Sequence, residues 1–65
     1  MVVDGVTHEV NWRKFEVGAS FFIPCIHAPE AREDVKKVTR RLGFKVMMKV
    51  VIEDGIRGLR VWRIR

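Results

Sequence analysis

The chain has 65 residues, and its 13 lysines and arginines outnumber its 8 acidic residues to give a net charge of +5. Because a chain this short buries only about 60% of its unfolded surface, we expect one small domain spanning residues 1–65 with marginal stability. Cys25 is the only cysteine, which excludes a disulfide-stapled scaffold and indicates a reducing compartment.

The N-terminal segment, residues 1–11, carries a Val-Asp-Gly-Val turn signal between short runs that favour β-structure. Because Val6, His8 and Val10 share one parity, residues 6–10 are predicted to form a short edge strand. The alternative is a loosely held arm, since chain termini often are. We expect His8 to be a surface or half-buried residue rather than a ligand or catalyst.

The next segment contains a turn and then a strand. Trp12 and Phe15 stand three residues apart, which suits a single helical turn that packs both rings inward. Residues 20–25 are a compact apolar run, predicted to be a strand that Pro24 closes or moves to a sheet edge. Alternation places Phe22 on the face opposite to its neighbours, so one large aromatic ring points away from the core.

One helix is predicted between Pro29, which suits a first helical turn, and Gly43, which suits a C-terminal stop. Its apolar positions at helical spacing are Ala31, Val35, Val38 and Leu42. This pattern predicts that Leu42 lies in the core, where Leu42→Ala would cost about 2–5 kcal/mol.

The last turns of this helix are basic. Its cations are Lys36, Lys37, Arg40 and Arg41, with no acidic residue among positions 36–41. Cations at a helix C-terminus complement the macrodipole, which explains part of the pattern. Like charges four residues apart repel each other, so the remainder of the pattern indicates an anionic partner.

Two further strands follow the helix. Residues 44–52 alternate, with Phe44, Val46, Met48, Val50 and Ile52 on the predicted core face and Lys45, Met47, Lys49 and Val51 on the other. A loop over residues 53–58, with room for a bulge, is predicted to lead into an antiparallel strand at 59–64. Apolar residues fall on both faces of that last strand, which leaves the face of Trp62 undecided.

These elements predict an α+β domain of β-α-β-β order, with one helix packed on a small three-stranded sheet and an additional short N-terminal strand. Two topologies remain open for the strand at 20–25: it lies parallel to 44–52 or antiparallel to 59–64. In either arrangement one face of the sheet lacks a cover.

The uncovered face and the basic helix predict binding rather than catalysis. Lysines and arginines neutralise phosphates, and an aromatic ring among them can stack on a base. The predicted nucleic-acid-binding residues are Lys36, Lys37, Arg40, Arg41, Lys45, Lys49, Arg60, Trp62 and Arg63. The alternative is a contact with a host or phage protein through the apolar patch of Phe22, Met47 and Val51. We also expect the chain to form a homo-oligomer, because an apolar patch and exposed strand edges both favour self-association.

Other chemistry has little support in the sequence. Cys25 and His27 lie two residues apart, but no third residue suggests itself to orient them for nucleophilic catalysis. One cysteine and two histidines do not form a known metal-ligand spacing, so we expect no catalytic residue, no metal and no cofactor. No stretch approaches the about 18 apolar residues of a membrane helix, and no signal peptide is evident.

Four short motifs resemble a group of small bacteriophage proteins. They are Trp12, Phe15 and Gly18; the strand at residues 20–24, with the letters SFFIP; the basic helix at residues 32–41; and the closing RVWR at residues 60–63. The resemblance spans residues 12–65. It implies a phage or prophage origin and action in the bacterial cytoplasm, and it supplies no function of its own.

Overall fold

The computed structural model describes residues 1–3 and 5–65, which form one helix and five strands. The elements are β1 (Val2–Val3), β2 (Val6–Thr7), β3 (Ser20–Pro24), α1 (Ala28–Leu42), β4 (Val46–Glu53) and β5 (Ile56–Arg63). β1 and β2 pair as a hairpin, and β3, β5 and β4 form a three-stranded sheet in that order. The predicted α+β fold, with one helix and a three-stranded sheet, is confirmed.

β5 is the central strand and pairs antiparallel with both of its neighbours. The antiparallel alternative for β3 is therefore right and the parallel one is wrong. α1 connects the two edge strands, so the chain crosses the sheet before the β4–β5 hairpin fills the gap. We call the sheet face toward α1 the inner face and the opposite one the outer face.

The core lies on the inner face. Leu59 and Val61 of β5 are fully buried, and so are Ile23 of β3 and Val35 of α1. The strand registers place Leu59 beside Ile23 and Val61 beside Met48. Because side chains alternate along a strand, burial of Leu59 and Val61 directs Arg60 and Trp62 to the outer face.

The helix presents a different stripe from the predicted one. Ala31 and Val35 are buried as expected, but Val38 is half-buried and Leu42 is 43% exposed. The prediction that Leu42 is a core residue is therefore wrong. Thr39 is buried instead and donates a hydrogen bond from Oγ1 to the Val35 carbonyl at 2.9 Å. That bond satisfies the hydroxyl, which is why a polar residue can occupy the buried stripe.

The ends of α1 follow the predicted signals. Pro29 lies in the first turn, and Gly43 adopts a left-handed conformation with φ of 78°. The Phe44 N–H donates to the Thr39 carbonyl at 2.8 Å, and the Gly43 N–H donates to the Arg40 carbonyl. This pair of bonds is a Schellman motif, which turns the chain sharply from α1 toward β4.

The predicted core face of β4 points inward, but only its first half is covered. Phe44, Val46 and Met48 are half-buried, whereas Val50 is 39% and Ile52 is 71% exposed. Their assignment to the core is therefore wrong for Val50 and Ile52. β4 is an edge strand, so its far end extends beyond the side chains that cover β5.

The connection between β4 and β5 is shorter than predicted. The strands run to Glu53 and from Ile56, which leaves a two-residue turn of Asp54 and Gly55 in place of a loop over 53–58. Both turn residues have positive φ, 52° and 76°. This is the Asp-Gly pattern of a type I′ turn, whose twist matches that of the flanking strands.

The predicted N-terminal strand at 6–10 is present but shorter, and the segment also adds to the core. β2 ends at Thr7, and Val3 of β1 is 1% exposed in contact with the core cluster. Part of the turn signal, Asp4, lies outside the described residues. Val3, together with Met1, which packs against the same cluster, thus anchors the N-terminal segment.

An aromatic cluster covers the inner face beside β3. Trp12, Phe15 and Phe21 contact one another edge to face, with ring centroids 5.0–5.8 Å apart. Phe15 also contacts Phe44, with the two ring centroids 6.3 Å apart. Phe15 is buried and Trp12 is half-buried, which confirms that this turn packs both rings inward.

Two leucine substitutions test this account of the core. We expect Leu59→Ala to lower the free energy of unfolding by about 2–5 kcal/mol, because Leu59 is fully buried on the central strand. Leu42→Ala, the same chemical change at an exposed position, should cost less than about 1 kcal/mol. Urea denaturation of dilute protein measures both, and equal costs would contradict the packing described.

Candidate nucleic-acid interface

The outer face is built from alternate residues of all three strands. Its members are Ser20, Phe22 and Pro24 of β3, Ile56, Gly58, Arg60 and Trp62 of β5, and Met47, Lys49, Val51 and Glu53 of β4. α1, β1 and the aromatic cluster pack on the inner face. Among the described residues, no helix or strand covers the outer face. The structure therefore leaves one sheet face uncovered, as the sequence predicted.

Trp62 occupies the outer face between two lysines. In the strand register Trp62 lies beside Met47. Lys49 is two residues further along β4, and Lys45, which immediately precedes β4, is two residues in the other direction. Both lysines are exposed and Trp62 is half-buried. The separation of the two lysines along the strand is about 13 Å, so one cation lies on each side of the indole. The open question of the face of Trp62 is settled by this register.

A second aromatic ring lies on the outer face. Phe22 reaches over Gly58, where a Cβ would be 2.5 Å from Phe22 Cζ and would also meet the Ile23 carbonyl oxygen. Only glycine fits at this position, since any side chain would displace the ring. Gly58 therefore gives Phe22 its half-buried position close to the sheet.

Arg60 lies at the centre of the outer face, and its guanidinium makes four hydrogen bonds. Nη1 donates to both carboxylate oxygens of Glu53 at 3.0 and 3.1 Å. Nε and Nη2 donate to Ser20 Oγ at 3.2 and 2.9 Å. The side chain thus ties the central strand to both edge strands, and the Glu53 carboxylate offsets its charge. Arg60 therefore holds the three strands together and adds little net positive charge to the outer face.

Arg63 lies on the inner face, unlike the other predicted binding residues of β5. Its guanidinium carbon is 3.7 Å from the centroid of the Phe44 ring, a cation–π contact. Nη1 donates to the Phe15 carbonyl at 2.8 Å, and Nε donates to the Arg65 carbonyl at 3.2 Å. The structure therefore places Arg63 in a supporting role beneath the aromatic cluster, away from the outer face.

The four cations of α1 point in the opposite direction from the outer face. Lys36, Lys37, Arg40 and Arg41, which we call the helix cluster, are all exposed on the side of α1 away from the sheet. Lys36 Nζ is 3.8 Å from Glu33 Oε1, and this ion pair is open to solvent. Because the thickness of the helix and the sheet separates the two groups, the structure does not join the helix cluster and the outer face into one surface.

The residues of the alternative protein interface lie on the outer face as well. Met47 is 48% exposed, while Phe22 and Val51 are half-buried. Phe22 and Val51 flank Gly58, the residue that pairs with both Pro24 and Val51. The outer face thus combines an apolar strip with two lysines.

The remaining candidate residues lie apart from the outer face. Cys25 is buried in the core cluster, and His27 is exposed at the N-terminus of α1. His8 is half-buried, and its Nε2 atom is buried with no hydrogen-bond partner among the described residues. Within those residues, no group of three or more histidines, cysteines, aspartates or glutamates is placed to hold a metal ion.

Sequence reasoning missed the two residues that hold Arg60. The sequence predicts Glu53 in a loop and Ser20 as the first residue of a strand. A hairpin register would have placed Glu53 on the same face as Arg60, but that register depends on recognising the two-residue turn at Asp54 and Gly55. Ser20 lies 40 residues from Arg60, and no local pattern links them.

Comparisons of the chain with protein-family models, with curated proteins and with solved structures find no match.

No helix in the described part of the chain is both long and apolar enough to cross a membrane.

The supporting role of Arg63 can be tested by substitution. Arg63→Met keeps an unbranched apolar stem but removes the guanidinium that contacts Phe44 and the Phe15 carbonyl. We expect the free energy of unfolding to fall by about 1–3 kcal/mol, because a partly buried carbonyl loses its charged donor. Arg13→Met at an exposed position is the matched control and should change the urea midpoint little. Equal midpoints for the two variants would contradict this role.

Proposed function

We propose that the chain binds single-stranded nucleic acid through its outer face and has no catalytic activity. The observation that carries this proposal is the position of Trp62 on an uncovered sheet face, with the exposed cations Lys45 and Lys49 on either side. An indole stacks on any base, and flanking lysines neutralise the adjacent phosphates. This combination of an aromatic platform and nearby cations is typical of sheets that bind single strands.

A single strand suits this surface better than a duplex. Trp62 can stack only on a base that is unstacked from its neighbours, and Phe22 supplies a second ring on the same face. The Arg60 charge is offset by Glu53, which leaves two lysines as the cations of this surface without an ion pair among the described residues. Electrostatic attraction is therefore modest, and stacking carries more of the binding.

The helix cluster has a separate part in this proposal. Its cations point away from the outer face and contribute to the net charge of +5, which attracts polyanions at long range.

Two further points belong to the proposal. The resemblance to bacteriophage proteins supports an origin in a phage or prophage and action in the bacterial cytoplasm. Burial of Cys25 away from the exposed His27 supports a role without catalysis.

Substitution of Trp62 tests the stacking. With a labelled single strand of about 12 nucleotides, Trp62→Ala should lose about 1–3 kcal/mol of binding free energy, while Trp62→Phe should retain most of it. Fluorescence anisotropy measures the dissociation constants, with a duplex of the same sequence for comparison. Unchanged binding by Trp62→Ala, or a preference of the wild type for the duplex, would overturn the proposed mode.

The salt dependence tests which cations contact phosphates. Two lysine contacts at a slope of about −0.7 each give about −1.4 for log K against log[salt] on a single strand. The double variant Lys45→Ala/Lys49→Ala should abolish most of this slope. Its matched control, Lys36→Ala/Lys37→Ala, removes the same charge from the opposite side of the molecule and should leave the slope nearly unchanged. The reverse ranking would assign binding to the helix cluster.

A second candidate function is that of an inhibitor or accessory protein that binds a host or phage protein. The observation that favours it is the apolar strip of Phe22, Met47 and Val51, since uncovered apolar patches commonly mark protein contacts. Methionine adapts its shape to a partner surface, and Met47 is the most exposed of the three residues. A pull-down from nuclease-treated bacterial lysate separates protein partners from those bridged by nucleic acid.

One substitution should change binding in opposite directions under the two functions. Met47→Lys adds a cation beside Trp62 at an exposed position, so it should strengthen nucleic-acid binding and steepen the salt slope by about 0.7. The same charge within an apolar protein contact should weaken that contact, by about 1–3 kcal/mol for a buried charge without a partner. Binding of the labelled strand and recovery of any captured protein are measured on the same variant.

A further inference from the structure

The outer edge of β4 exposes a row of backbone groups. The Lys45 N–H donates to the Arg65 carbonyl at 3.2 Å, and the Lys45 carbonyl accepts from the Ile64 N–H at 2.7 Å. Backbone groups alternate in direction along a strand, so those of the next residue and every second one after it point away from β5. These outward residues are Val46, Met48, Val50 and Ile52. Among the described residues, no strand pairs with this edge.

The two edges of the sheet differ in their suitability for pairing. β3 has five residues and ends at Pro24, which has no backbone donor. β4 has eight residues without proline, and its outward residues are all apolar. Natural proteins protect edge strands with charged residues, bulges or prolines. Lys49 is the only charged residue in the interior of β4, so this edge has little protection.

We propose that β4 pairs antiparallel with β4 of a second copy of the chain, about a two-fold axis perpendicular to the sheet. In the register that overlaps the whole strand, Val46 lies beside Ile52 of the second copy, and Met48 lies beside its Val50. Each outward residue then both donates and accepts, which forms about eight backbone hydrogen bonds between the strands. The result is a continuous six-stranded sheet.

Charge complementarity favours this register on the outer face. Lys45 lies opposite Glu53 of the second copy, and symmetry forms this pair twice. Met47 lies opposite Val51 of the second copy, which extends the apolar strip across the axis. One unfavourable contact remains, because Lys49 lies opposite its own counterpart at the axis. This register therefore forms two opposite-charge pairs and one like-charge pair, so the charges favour it on balance.

The inner face is complementary in shape. The first half of β4 is covered and the second half is bare, with Val50 at 39% and Ile52 at 71% exposure. Antiparallel pairing places the bare end of one strand beside the covered end of the other, so the two helices do not meet. It also brings Ile52 close to the C-terminal end of the second helix, where Leu42 is 43% exposed. Exposed apolar residues of both copies are thus buried together.

A register shifted by four residues, which moves the two-fold axis by two residues, is the competitor with more favourable charge pairing. It centres on Val51 and places Lys49 opposite Glu53 of the second copy, which removes the like-charge contact. However, only Val50 and Ile52 then pair along the edge, which halves the number of backbone hydrogen bonds. The full-overlap register is favoured for this reason, and the response of the dimer to Lys49 substitution distinguishes the two.

This inference does not depend on nucleic-acid binding. A two-fold axis perpendicular to the sheet keeps both outer faces on the same side, so two copies of Trp62 would share one surface. The dimer itself is measured without nucleic acid, so its failure would leave the proposed function of a single copy intact.

Sedimentation velocity of the full chain tests the association. Between about 10 and about 500 μM protein, the wild type should shift from monomer toward dimer. Ile52→Lys places a charge in the proposed contact and should weaken the dimer at least about tenfold. Val17→Lys makes the same change in charge at a residue 61% exposed elsewhere and should leave it unaltered. A monomeric wild type, or equal effects of the two variants, would overturn the inference.

Amide hydrogen exchange locates the contact. In dilute protein, the N–H groups of Met48, Val50 and Ile52 should exchange quickly, while those of Met47 and Lys49 are protected by β5. At high concentration, the outward amides should become protected as well. A dimer in which those outward amides continue to exchange quickly would contact through another surface and overturn the inference.

Lysine substitutions test the register. Lys49→Ala removes the like-charge contact at the axis and should strengthen the dimer, whereas Lys45→Ala removes two opposite-charge pairs and should weaken it. Circular dichroism melts check that both variants fold. A weaker dimer for Lys49→Ala, with Lys45→Ala unchanged, would show the shifted register and contradict the one proposed.

Discussion

The central position of β5 is the constraint on which the rest of the structure depends. A strand with neighbours on both sides has no freedom in register, and the complete burial of Leu59 and Val61 fixes which side faces the core. The alternate residues, Arg60 and Trp62, must then lie on the face that α1 does not cover. The same packing that stabilises the domain therefore presents an indole on an uncovered surface, and core and candidate site are two sides of one strand.

The basic residues of the chain have different roles in the structure. Arg63 supports the aromatic cluster from below, and Arg60 links three strands through Ser20 and Glu53. Lys45 and Lys49 remain available on the outer face, while the helix cluster points away from it. A net charge of +5 is therefore a poor guide to the strength of any single surface. The binding proposed for the outer face rests on two lysines and on the aromatic rings beside them.

The small size of the domain leaves apolar surface uncovered. One helix of 15 residues, together with β1 and the aromatic turn, covers the inner face only as far as the first half of β4. The second half of that strand retains exposed apolar side chains and a backbone edge with which no strand pairs among the described residues. Pairing of such an edge with another strand is one way to cover it.

Local patterns in the sequence determined the helix between Pro29 and Gly43, the alternation of β4 and the aromatic turn, because caps and periodicity act within a few residues. They failed at Leu42 and Ile52, where burial depends on how far a distant element extends. Only the tertiary structure decided the face of Trp62, since both parities of β5 are apolar and its central place depends on pairing with β3, about 40 residues earlier in the chain. The hydrogen bonds from Arg60 to Ser20 depend on that same long-range pairing.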